Sequence, residues 1–472
     1  MARAAVIRSP EMLDLDDIQG LVVRGYAHLQ AARYVLLGIR DPAAARRFIT
    51  DTIPAITTAA AGGPGRAVHL ALTAAGLARL ELPSATLAGL PAEFAEGMVA
   101  PARSRVLGDV DGSAPEAWAW GGPATEAIDM LLLLYAKDGG ALEELARPIE
   151  AGFERGGVAE VHRLETEAIG NREHFGFRDG ISQPIIAGLG RTGPAEHIVR
   201  AGEFVLGYPN EYGLLTDRPL MPADADAAAV LPTDAATGEH DLGRNGTYLV
   251  VRQLQQDVPG FWRFVREAAG DGDPVALASK MVGRWPGGAP LVEAPDADDP
   301  AHATANGFGY AHIDPAGMRC PIGAHVRRSN PRDSLDPRPG TADSIAVNRR
   351  HRLLRRGRKY GPPADLEALR SGTAVADGVD RGLHFICVNA NIARQFEFVQ
   401  RAWVGSPKFA ALYDDADPLI GRHHPQGGTF TIPERPVRRR VTGLPQFVAV
   451  RGGAYFFLPG IRALRYIGSV TH

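Results

Sequence analysis

The segment AIDMLLLLYAKDGGALEELARPIEAGFERGGVAEVHRLETEAI (127–169) decides the fold. It begins with a near-continuous apolar run of strand length at 127–136, which a helical pattern follows from Gly140 onward. Residues 159–169 then alternate between apolar and polar side chains, which is typical of a half-buried strand. The segment therefore predicts a strand, a helix and a second strand.

The residues that precede this segment have the same order. ARYVLLGI (32–39) and AVHLALT (67–73) have the length and composition of strands, and DPAAARRFITDTIPAI (41–56) between them has a helical pattern closed near a proline. Together the two segments give strand, helix, strand, strand, helix, strand. That is the order of the split β-α-β unit of a ferredoxin-like α+β fold.

The second half of the chain repeats the pattern. NGTYLVVRQLQQ (245–256) and GLHFICVNA (382–390) are predicted strands, and each precedes a predicted helix, at 257–270 and at 391–403. QFVAVRGGAYFFLPG (446–460) predicts two short strands around a Gly-Gly turn. We therefore expect an α+β protein with two ferredoxin-like halves, each with an antiparallel sheet.

These patterns divide the chain into three parts. Residues 1–170 form the predicted N-terminal half, and residues 246–472 form the predicted C-terminal half. Residues 171–245 are rich in Gly, Pro, Asn and Asp and have little periodicity, so they are predicted to connect the halves.

Composition excludes several classes of protein. The chain has 472 residues, of which 45% are hydrophobic and 22% are charged, so it is neither disordered nor a small disulfide scaffold. Its two cysteines, Cys320 and Cys387, are too few for a zinc ribbon or an iron–sulfur cluster within one chain. The N-terminus lacks a signal sequence and a twin-arginine pair, and the apolar run at 130–136 is too short to span a bilayer. We expect a cytoplasmic protein that has no membrane partner.

Charge is distributed unevenly along the chain. The formal net charge is only −3, yet residues 319–359 contain twelve Lys and Arg against three Asp, a local charge of +9. This imbalance predicts an anionic partner for the segment. A nucleic acid is the less favoured alternative, because no interleaved aromatic residues accompany the arginines and the chain as a whole is acidic.

Three polar stretches are candidates for chemistry. In NREHFGFRDGISQP (171–184), Asp179 precedes Gly180 in a tight turn, and the alternative is a plain surface turn. Apolar neighbours favour a turn that is pressed against something buried (Phe175, Phe177, Ile181). In CPIGAHVRRSNP (320–331), His325 follows small residues and could offer an imidazole nitrogen to a metal, or it could be a half-buried structural histidine.

The third stretch is NRRHRLLRRGRKYG (348–361). Its arginines could stabilise a carboxylate, a phosphate or a developing oxyanion, and the alternative is a solvated basic loop. The three stretches together offer a metal ligand, an acid/base carboxylate and an arginine.

Several motifs resemble those of the dye-decolorising peroxidases, a haem family. They occur in order over roughly 170–470: GFRDG (176–180), GAHVRRSNPR (323–332), LLRRGRKYG (353–361), GLHFICVNANIARQFEFVQ (382–400) and YFFLPGIRALRYIG (455–468). The length and the long loops of the chain resemble the family's larger subgroup, without a secretion signal. The resemblance implies two ferredoxin-like halves arranged like a dimeric α+β barrel. It also implies haem b in the C-terminal half.

The resemblance assigns roles to individual residues. His325 would bind the iron, Asp179 would be the distal acid/base, and Arg355 would be the distal arginine, with Arg356 as the alternative if the register differs by one. Asn391 would accept a hydrogen bond from His325, which departs from the usual acidic partner. Further cofactor contacts are implied for propionate-binding and wall residues (Gly180, Ile181, Ser182, Arg327, Arg328, Leu383, Phe385, Phe396).

The implied activity is peroxidase chemistry. Hydrogen peroxide would be reduced, and dyes, phenols or other aromatic donors would be oxidised in one-electron steps through an oxyferryl intermediate. Asp179 can take a proton from the inner oxygen of peroxide and return it to the outer oxygen, and because an Asp replaces the distal histidine of other haem peroxidases we expect an acidic activity optimum. Tyr360 and Trp403 are candidate relays for large donors, and association into a homo-oligomer is expected from the family.

Two further interpretations stay open at this point. An acidic stretch could hold Mn²⁺ as an oxidisable donor, and the alternative is a solvated loop (Glu293, Asp296, Asp298, Asp299). A haem-binding or haem-transfer protein with little turnover is the alternative to a peroxidase. A carrier has no need of a distal acid and arginine, so Asp179 and Arg355 favour the peroxidase.

Overall fold

The computed structural model describes residues 12–469 except 223, 224, 375 and 425. The N-terminal half is built from four strands and two long helices, with four short helices between the second and third strands. In chain order these are β1 (Ala31–Ile39), α1 (Pro42–Thr52), β2 (Arg66–Leu72), α2 (Ala74–Arg79), α3 (Ser84–Ala88), α4 (Ala92–Glu96), α5 (Pro101–Leu107), β3 (Met130–Ala136), α6 (Gly139–Glu150) and β4 (Val158–Glu165).

The chain then crosses to the C-terminal half through short elements: β5 (Ile185–Ile186), β6 (Ile198–Val199), β7 (Leu220–Met221), α7 (Ala225–Val230) and β8 (His240–Asp241). The C-terminal half contains β9 (Thr247–Gln256), α8 (Val258–Ala269), α9 (Pro274–Val282), α10 (His325–Ser329), α11 (Ala342–Arg349), β10 (Leu354–Arg355), β11 (Arg358–Tyr360), α12 (Leu366–Ser371), β12 (Gly382–Asn389), β13 (Gly428–Ile432), β14 (Arg439–Leu444), β15 (Val448–Leu458) and α13 (Ile461–Ser469). Short 3-10 segments complete the connections (Gly20–Val22, Ile53–Ala55, Asp111–Ser113, Pro115–Ala117, Ala195–His197, Ala201–Glu203, Pro300–His302, Phe409–Ala411).

One antiparallel sheet runs through both halves. Its strand order is β10-β12-β9-β15-β2-β3-β1-β4, and β11 also pairs with β12. Within each half the first, second, third and fourth strands therefore lie in the order 2-3-1-4. The prediction of two ferredoxin-like halves is confirmed. The division at 171 and 246 stays a proposal.

The sheet curls so that its outer edges approach each other. The halves join where Phe457 of β15 pairs with Leu72 of β2. At the other side, the Glu167 N–H donates to the Lys359 carbonyl at 2.8 Å, just beyond β4 and within β11. The result is barrel-like, and its interior is a continuous apolar core that includes residues from both halves (Tyr34, Leu133, Leu249, Ile386, Phe456).

Local sequence explains the main elements. β3 is buried on both faces because helices cover one face and the barrel interior lies against the other, which accounts for its unbroken apolar run. Three sheet-covering helices begin at an aspartate whose side chain accepts a backbone N–H: Asp41 before α1, Asp138 before α6 and Asp257 before α8. Such N-caps stabilise a helix by about 1 kcal/mol.

Residues 446–460 differ from the prediction. The structure has one strand, β15, with a register shift between Val450 and Gly452 where two strands and a turn were expected. A Cβ on Gly452 would lie 2.4 Å from the Trp120 ring, so the glycine makes room for that buried indole. The Gly-Gly pair is therefore a bulge under a tryptophan, and the hairpin prediction is wrong.

Two other elements were missed or altered. Residues 353–361 form two short strands, β10 and β11, where no strand was predicted. Arg356 and Gly357 separate them, and Gly357 packs closely against the backbone of β12. The predicted helix at 391–403 is π-helical, at Ala393–Glu397 and Val399–Val404. Among the described residues, no helix is long and apolar enough to cross a membrane.

Candidate active site

A cavity of about 240 Å³ lies against β12, between the sheet and the three polar stretches that precede it. Because side chains alternate along a strand, Leu383 and Phe385 face this cavity, while His384 and Ile386 are buried on the other side. The other predicted wall residues, Gly180, Ile181, Ser182 and Phe396, also line it.

His325 begins the five-residue helix α10 and lines the cavity. Its Nδ1 lies 2.8 Å from Oδ2 of Asp417, a carboxylate with no exposed side-chain surface. The other oxygen of Asp417 accepts the N–H groups of Leu419 and Ile420 at 2.9 and 3.0 Å. With Nδ1 engaged in this way, Nε2 is the imidazole nitrogen left for a ligand.

The His325–Asp417 pair shifts both ionisations. Burial opposes the charged imidazole, but the negative charge of Asp417 outweighs it and raises the pKa of His325. Burial likewise opposes the carboxylate, but His325 and the backbone N–H donors hold the pKa of Asp417 below its usual value. The carboxylate is therefore ionised and makes the imidazole a stronger donor of electrons.

The assignment of Asn391 as the partner of His325 is wrong. Asn391 lies two residues before the π-helical segment, and its Oδ1 accepts the Arg394 N–H at 2.7 Å while its own N–H donates to the Gln395 side chain. It does not line the cavity. Asp417 lies 92 residues from His325 in the chain, and only the fold brings the two together.

Asp179 and Arg355 meet inside the same cavity. Arg355 Nη1 lies 3.1 Å from Asp179 Oδ1, and the same carboxylate oxygen accepts the Gly180 N–H at 2.6 Å. Gly180 has φ +79°, a conformation that favours glycine. The Arg355 backbone is held by Gln183, whose side-chain amide bonds both its N–H and its carbonyl.

The electrostatics of Asp179 favour the ionised form. Burial would raise its pKa, but the Arg355 guanidinium and the Gly180 N–H outweigh burial and place the pKa below the usual value. About half of the Asp179 side-chain surface is exposed, and that surface faces the cavity. The carboxylate is thus charged and accessible from the cavity.

The neighbouring Arg356 points elsewhere. Its guanidinium donates to the carbonyls of Leu21 and Val22, each at 2.7 Å, and it is buried. Arg355 is therefore the arginine that the fold places beside Asp179, and the alternative assignment to Arg356 is wrong.

The prediction that Arg327 or Arg328 faces a propionate is wrong. Arg327 pairs with Asp314 at 3.2 Å and stacks on Tyr310. Arg328 has no exposed surface, because its guanidinium donates to four backbone carbonyls (Gly323, Trp403, Ser406, Asp415). Neither residue lines the cavity. Both arginines tie the segment after His325 to its surroundings.

Two other arginines occupy the cavity wall. Arg332 and Arg352 are 7% and 4% exposed, and neither has a carboxylate within salt-bridge distance in the described part of the chain. Burial and the neighbouring arginines lower the pKa of Arg352 to about 9. Arg332 donates to the carbonyls of Asn306 and Phe308 and to Asn306 Oδ1, whereas Arg352 has a long contact of 3.4 Å to His197 Nδ1. A buried cation without a counter-ion is costly, so Arg352 above all is suited to an anionic group of a ligand, and Arg332 lines the same cavity.

Arg332 lies within the histidine motif GAHVRRSNPR, but nothing in the sequence distinguishes it from Arg327 and Arg328, which are nearer to His325. Arg352 was within the basic stretch and carried no distinguishing signal. No pattern around Asp417 marks it as a partner of His325, since its neighbours Pro418 and Leu419 are typical of any buried turn.

The acidic stretch proposed for Mn²⁺ does not converge. Asp298 accepts the Gly287 N–H, and Asp299 caps a turn and bonds His302. Within the described ranges, no three His, Cys, Asp or Glu side chains are grouped so that they could hold a metal ion. The proposed manganese site is therefore wrong.

The two candidate relay residues are both buried. Trp403 is 5% exposed and packs with His351 and Phe398, while Tyr360 is 7% exposed and stacks on His384. Phe398 is the exposed member of the first group.

The cavity fits a flat, largely apolar cofactor that brings its own metal ligands. The protein offers one imidazole nitrogen, two buried cations and walls of apolar side chains (Val282, Leu383, Phe385, Phe396, Leu419). A lone histidine does not hold a metal ion by itself, but it suffices as an axial ligand of an iron porphyrin, whose carboxylates would face the arginines.

The chain is similar to known proteins over almost its full length. The chain is 30% identical to Peroxidase 2 of Mycetinis scorodonius, over 97% of this chain and 88% of that protein. It is also 30% identical to the multifunctional dye peroxidase DyP2 of an Amycolatopsis species, over 96% and 95%. The crystal structure of a fungal DyP-type peroxidase from Auricularia auricula-judae superposes with a TM-score of 0.78 at 26% identity, covering 97% of this chain and 100% of that one. No family model matches the sequence.

Proposed function

Since this chain belongs to the dye-decolorising peroxidases, we propose that it binds haem b in the cavity beside β12, reduces hydrogen peroxide there and takes electrons one at a time from aromatic donors. The observation that carries the proposal is the pair formed by Asp179 and Arg355 in the same cavity as the His325–Asp417 pair. The first pair combines a candidate acid/base, Asp179, with a cation. The second combines a candidate metal ligand, His325, with a carboxylate.

Three residues that line the cavity would hold the cofactor. His325 would bind the iron through Nε2, and Arg332 and Arg352 would pair with the cofactor's carboxylates. Asp417 would keep the imidazole in one tautomer with Nε2 unprotonated. When bound, the haem supplies the iron at which the O–O bond of peroxide is broken.

Asp179 would move the protons. Its carboxylate is ionised, so it can accept the proton from one peroxide oxygen and return it to the other, which leaves as water. Arg355 keeps Asp179 charged beforehand and stabilises the negative charge that develops as the O–O bond lengthens. Leu383 and Phe385 exclude water from this face of the cavity.

The haem-transfer alternative is not favoured, because a carrier would not need the Asp179–Arg355 pair. We do not propose Mn²⁺ as a donor, because no carboxylate cluster of the described residues supports it. A cytoplasmic location and a homo-oligomer remain proposals from the sequence and from the family.

The test is a spectrum followed by rapid mixing. The purified, haem-loaded protein should show a Soret band, and His325→Ala should lose it or shift it. Stopped-flow mixing with hydrogen peroxide should change the band of the wild type within seconds, and a phenolic donor should restore it. A haem-loaded wild type that does not react with peroxide would contradict the proposal and favour the carrier.

A further inference from the structure

A small cavity of about 110 Å³ adjoins the proposed haem cavity. Three residues line both cavities: Phe308, Arg332 and Arg352. His197 lines the small cavity but not the haem cavity. It therefore lies behind the two arginines that would pair with the cofactor's carboxylates, and it would not touch the cofactor.

The ring of His197 is held by two hydrogen bonds. His197 is 3% exposed and ends the short 3-10 segment Ala195–His197. Its Nε2 lies 2.7 Å from the carbonyl oxygen of Asn306, and its Nδ1 lies 3.4 Å from Arg352 Nη1. A carbonyl oxygen can only accept a hydrogen bond, so Nε2 carries the proton and Nδ1 has a lone pair for the guanidinium. His197 is thus a donor to Asn306 and an acceptor from Arg352.

The electrostatics of the site keep His197 neutral. Burial and then the positive charges of Arg332 and Arg352 lower the pKa of His197 to about 4. The Asn306 carbonyl and the Glu196 carboxylate favour the charged ring, but they do not outweigh these effects. A neutral ring can accept from Arg352, whereas a protonated ring would present a second N–H to it.

Arg352 depends on His197 more than Arg332 does. Arg332 donates to the Asn306 carbonyl at 2.6 Å, to Asn306 Oδ1 at 2.5 Å and to the Phe308 carbonyl at 3.0 Å. In the described part of the chain, the Arg352 guanidinium has His197 Nδ1 as its hydrogen-bond partner and no carboxylate. An arginine side chain has many rotamers, so a guanidinium without an acceptor is poorly oriented.

We propose that His197 is a positioning residue for haem binding, which holds the Arg352 guanidinium in the orientation that pairs with a carboxylate of the cofactor. The Asn306 carbonyl fixes the ring of His197 and also binds Arg332, so one backbone oxygen sets the placement of both arginines. A neutral imidazole leaves the charge of Arg352 for the ligand. This inference rests on the proposed function and names a residue that the cofactor itself does not reach.

Two substitutions separate the roles of the two ring nitrogens. The side-chain amide of glutamine reaches the position of the histidine Nε2, and that of asparagine reaches the position of Nδ1. His197→Gln therefore keeps the donor to Asn306 and loses the acceptor for Arg352, whereas His197→Asn does the opposite. The readouts are the rate of haem transfer to apomyoglobin and the melting temperature of the protein without haem.

The two variants should change the two readouts in opposite ways. His197→Gln should lose haem about three- to tenfold faster than the wild type, the range expected for one weak hydrogen bond, with little change in melting temperature. His197→Asn should retain haem as the wild type does, although loss of the bond to Asn306 lowers its melting temperature. In the Arg352→Gln background, His197→Gln should have no further effect on haem transfer.

His28→Gln is the matched control, because His28 Nε2 also bonds a carbonyl, that of Pro64, and His28 lines neither cavity. It should transfer haem at the wild-type rate. Haem loss that follows the melting temperature and is fastest in His197→Asn would show a merely structural role and overturn the inference, as would equal rates in all variants. A wild type that binds no haem would overturn the proposed function and this inference with it.

Discussion

His325 Nδ1 lies 2.8 Å from Asp417 Oδ2, and the carboxylate is completely buried. Two backbone N–H groups fix the other carboxylate oxygen, so the ring of His325 is held in one orientation. Because Asp417 is ionised, the imidazole gains anionic character, which favours a high-valent metal over a reduced one.

Asp417→Asn should raise the reduction potential of the bound haem iron. The amide keeps an oxygen for the N–H groups of Leu419 and Ile420, but it no longer draws the proton of His325 Nδ1. Spectroelectrochemistry of the haem-loaded proteins measures the change. Asn391→Asp is the control and should leave the potential unchanged, because Asn391 caps a helix away from the cavity. A shift in that control would restore the assignment of Asn391.

Asp179→Asn should slow the reaction with peroxide by about 10²- to 10⁴-fold, the range typical of a lost general acid/base. The amide retains an oxygen that can contact Arg355 and Gly180, so folding and haem content should not change. The second-order rate constant from stopped-flow mixing is the readout. A rate close to that of the wild type would show that another group moves the protons.

Arg355→Leu should move the acid limb of the pH profile to higher pH. Only ionised Asp179 accepts a proton, so activity falls as pH drops through its pKa. Burial raises that pKa and Arg355 lowers it, so removal of the cation leaves burial to dominate. We expect the wild type to be most active at acidic pH, and a maximum above neutral pH would contradict this.

Arg356→Lys is the control for that experiment. Arg356 donates to the carbonyls of Leu21 and Val22, so its replacement should lower the melting temperature. Hydrogen bonds from a charged donor contribute about 1.5–3 kcal/mol each to stability. The acid limb of its pH profile should remain where it is in the wild type.

Arg352→Gln should weaken haem retention without destabilising the protein that lacks haem. The variant removes a buried cation that has no carboxylate partner among the described residues, so the melting temperature without haem should stay or rise. Transfer of haem to apomyoglobin should become faster. Arg328→Gln should instead lower the melting temperature and leave the rate of haem transfer unchanged, because Arg328 bonds four backbone carbonyls and does not line the cavity. Slower haem loss from the Arg352 variant would contradict the assignment.

The sequence predicted those parts of the fold that follow from local periodicity. The strands β1, β2, β9 and β12 lie within two residues of their predicted bounds, and β3 begins three residues later than predicted, because each is an apolar run bounded by turns. The bulge at Gly452 was missed because its cause is Trp120, which is distant in the sequence. A glycine pair looks the same whether it makes a turn or admits a ring.

The residues of the candidate site also fall into two groups: some are marked by a local motif, and others are brought to the site only by the fold. Asp179, His325 and Arg355 are each marked by a motif, and the structure brings them to one cavity. Asp417 and Arg352 are brought to this cavity only by folding, so no local pattern marks either residue. Nearness to His325 along the chain was misleading for Arg327 and Arg328, because a short helix turns their side chains into the protein.

The two faces of β12 also bear on the order of folding and haem binding. His384 and Ile386 are buried on the face opposite the cavity, and Ile386 packs in the barrel interior, which the apolar core already fills. Leu383 and Phe385 face the cavity outside that core. The apolar cluster of the barrel interior thus shares no residue with the cavity lining, so we expect this cluster to form before haem is bound. The amount of active protein would then follow the supply of haem in the cell as well as the rate of translation.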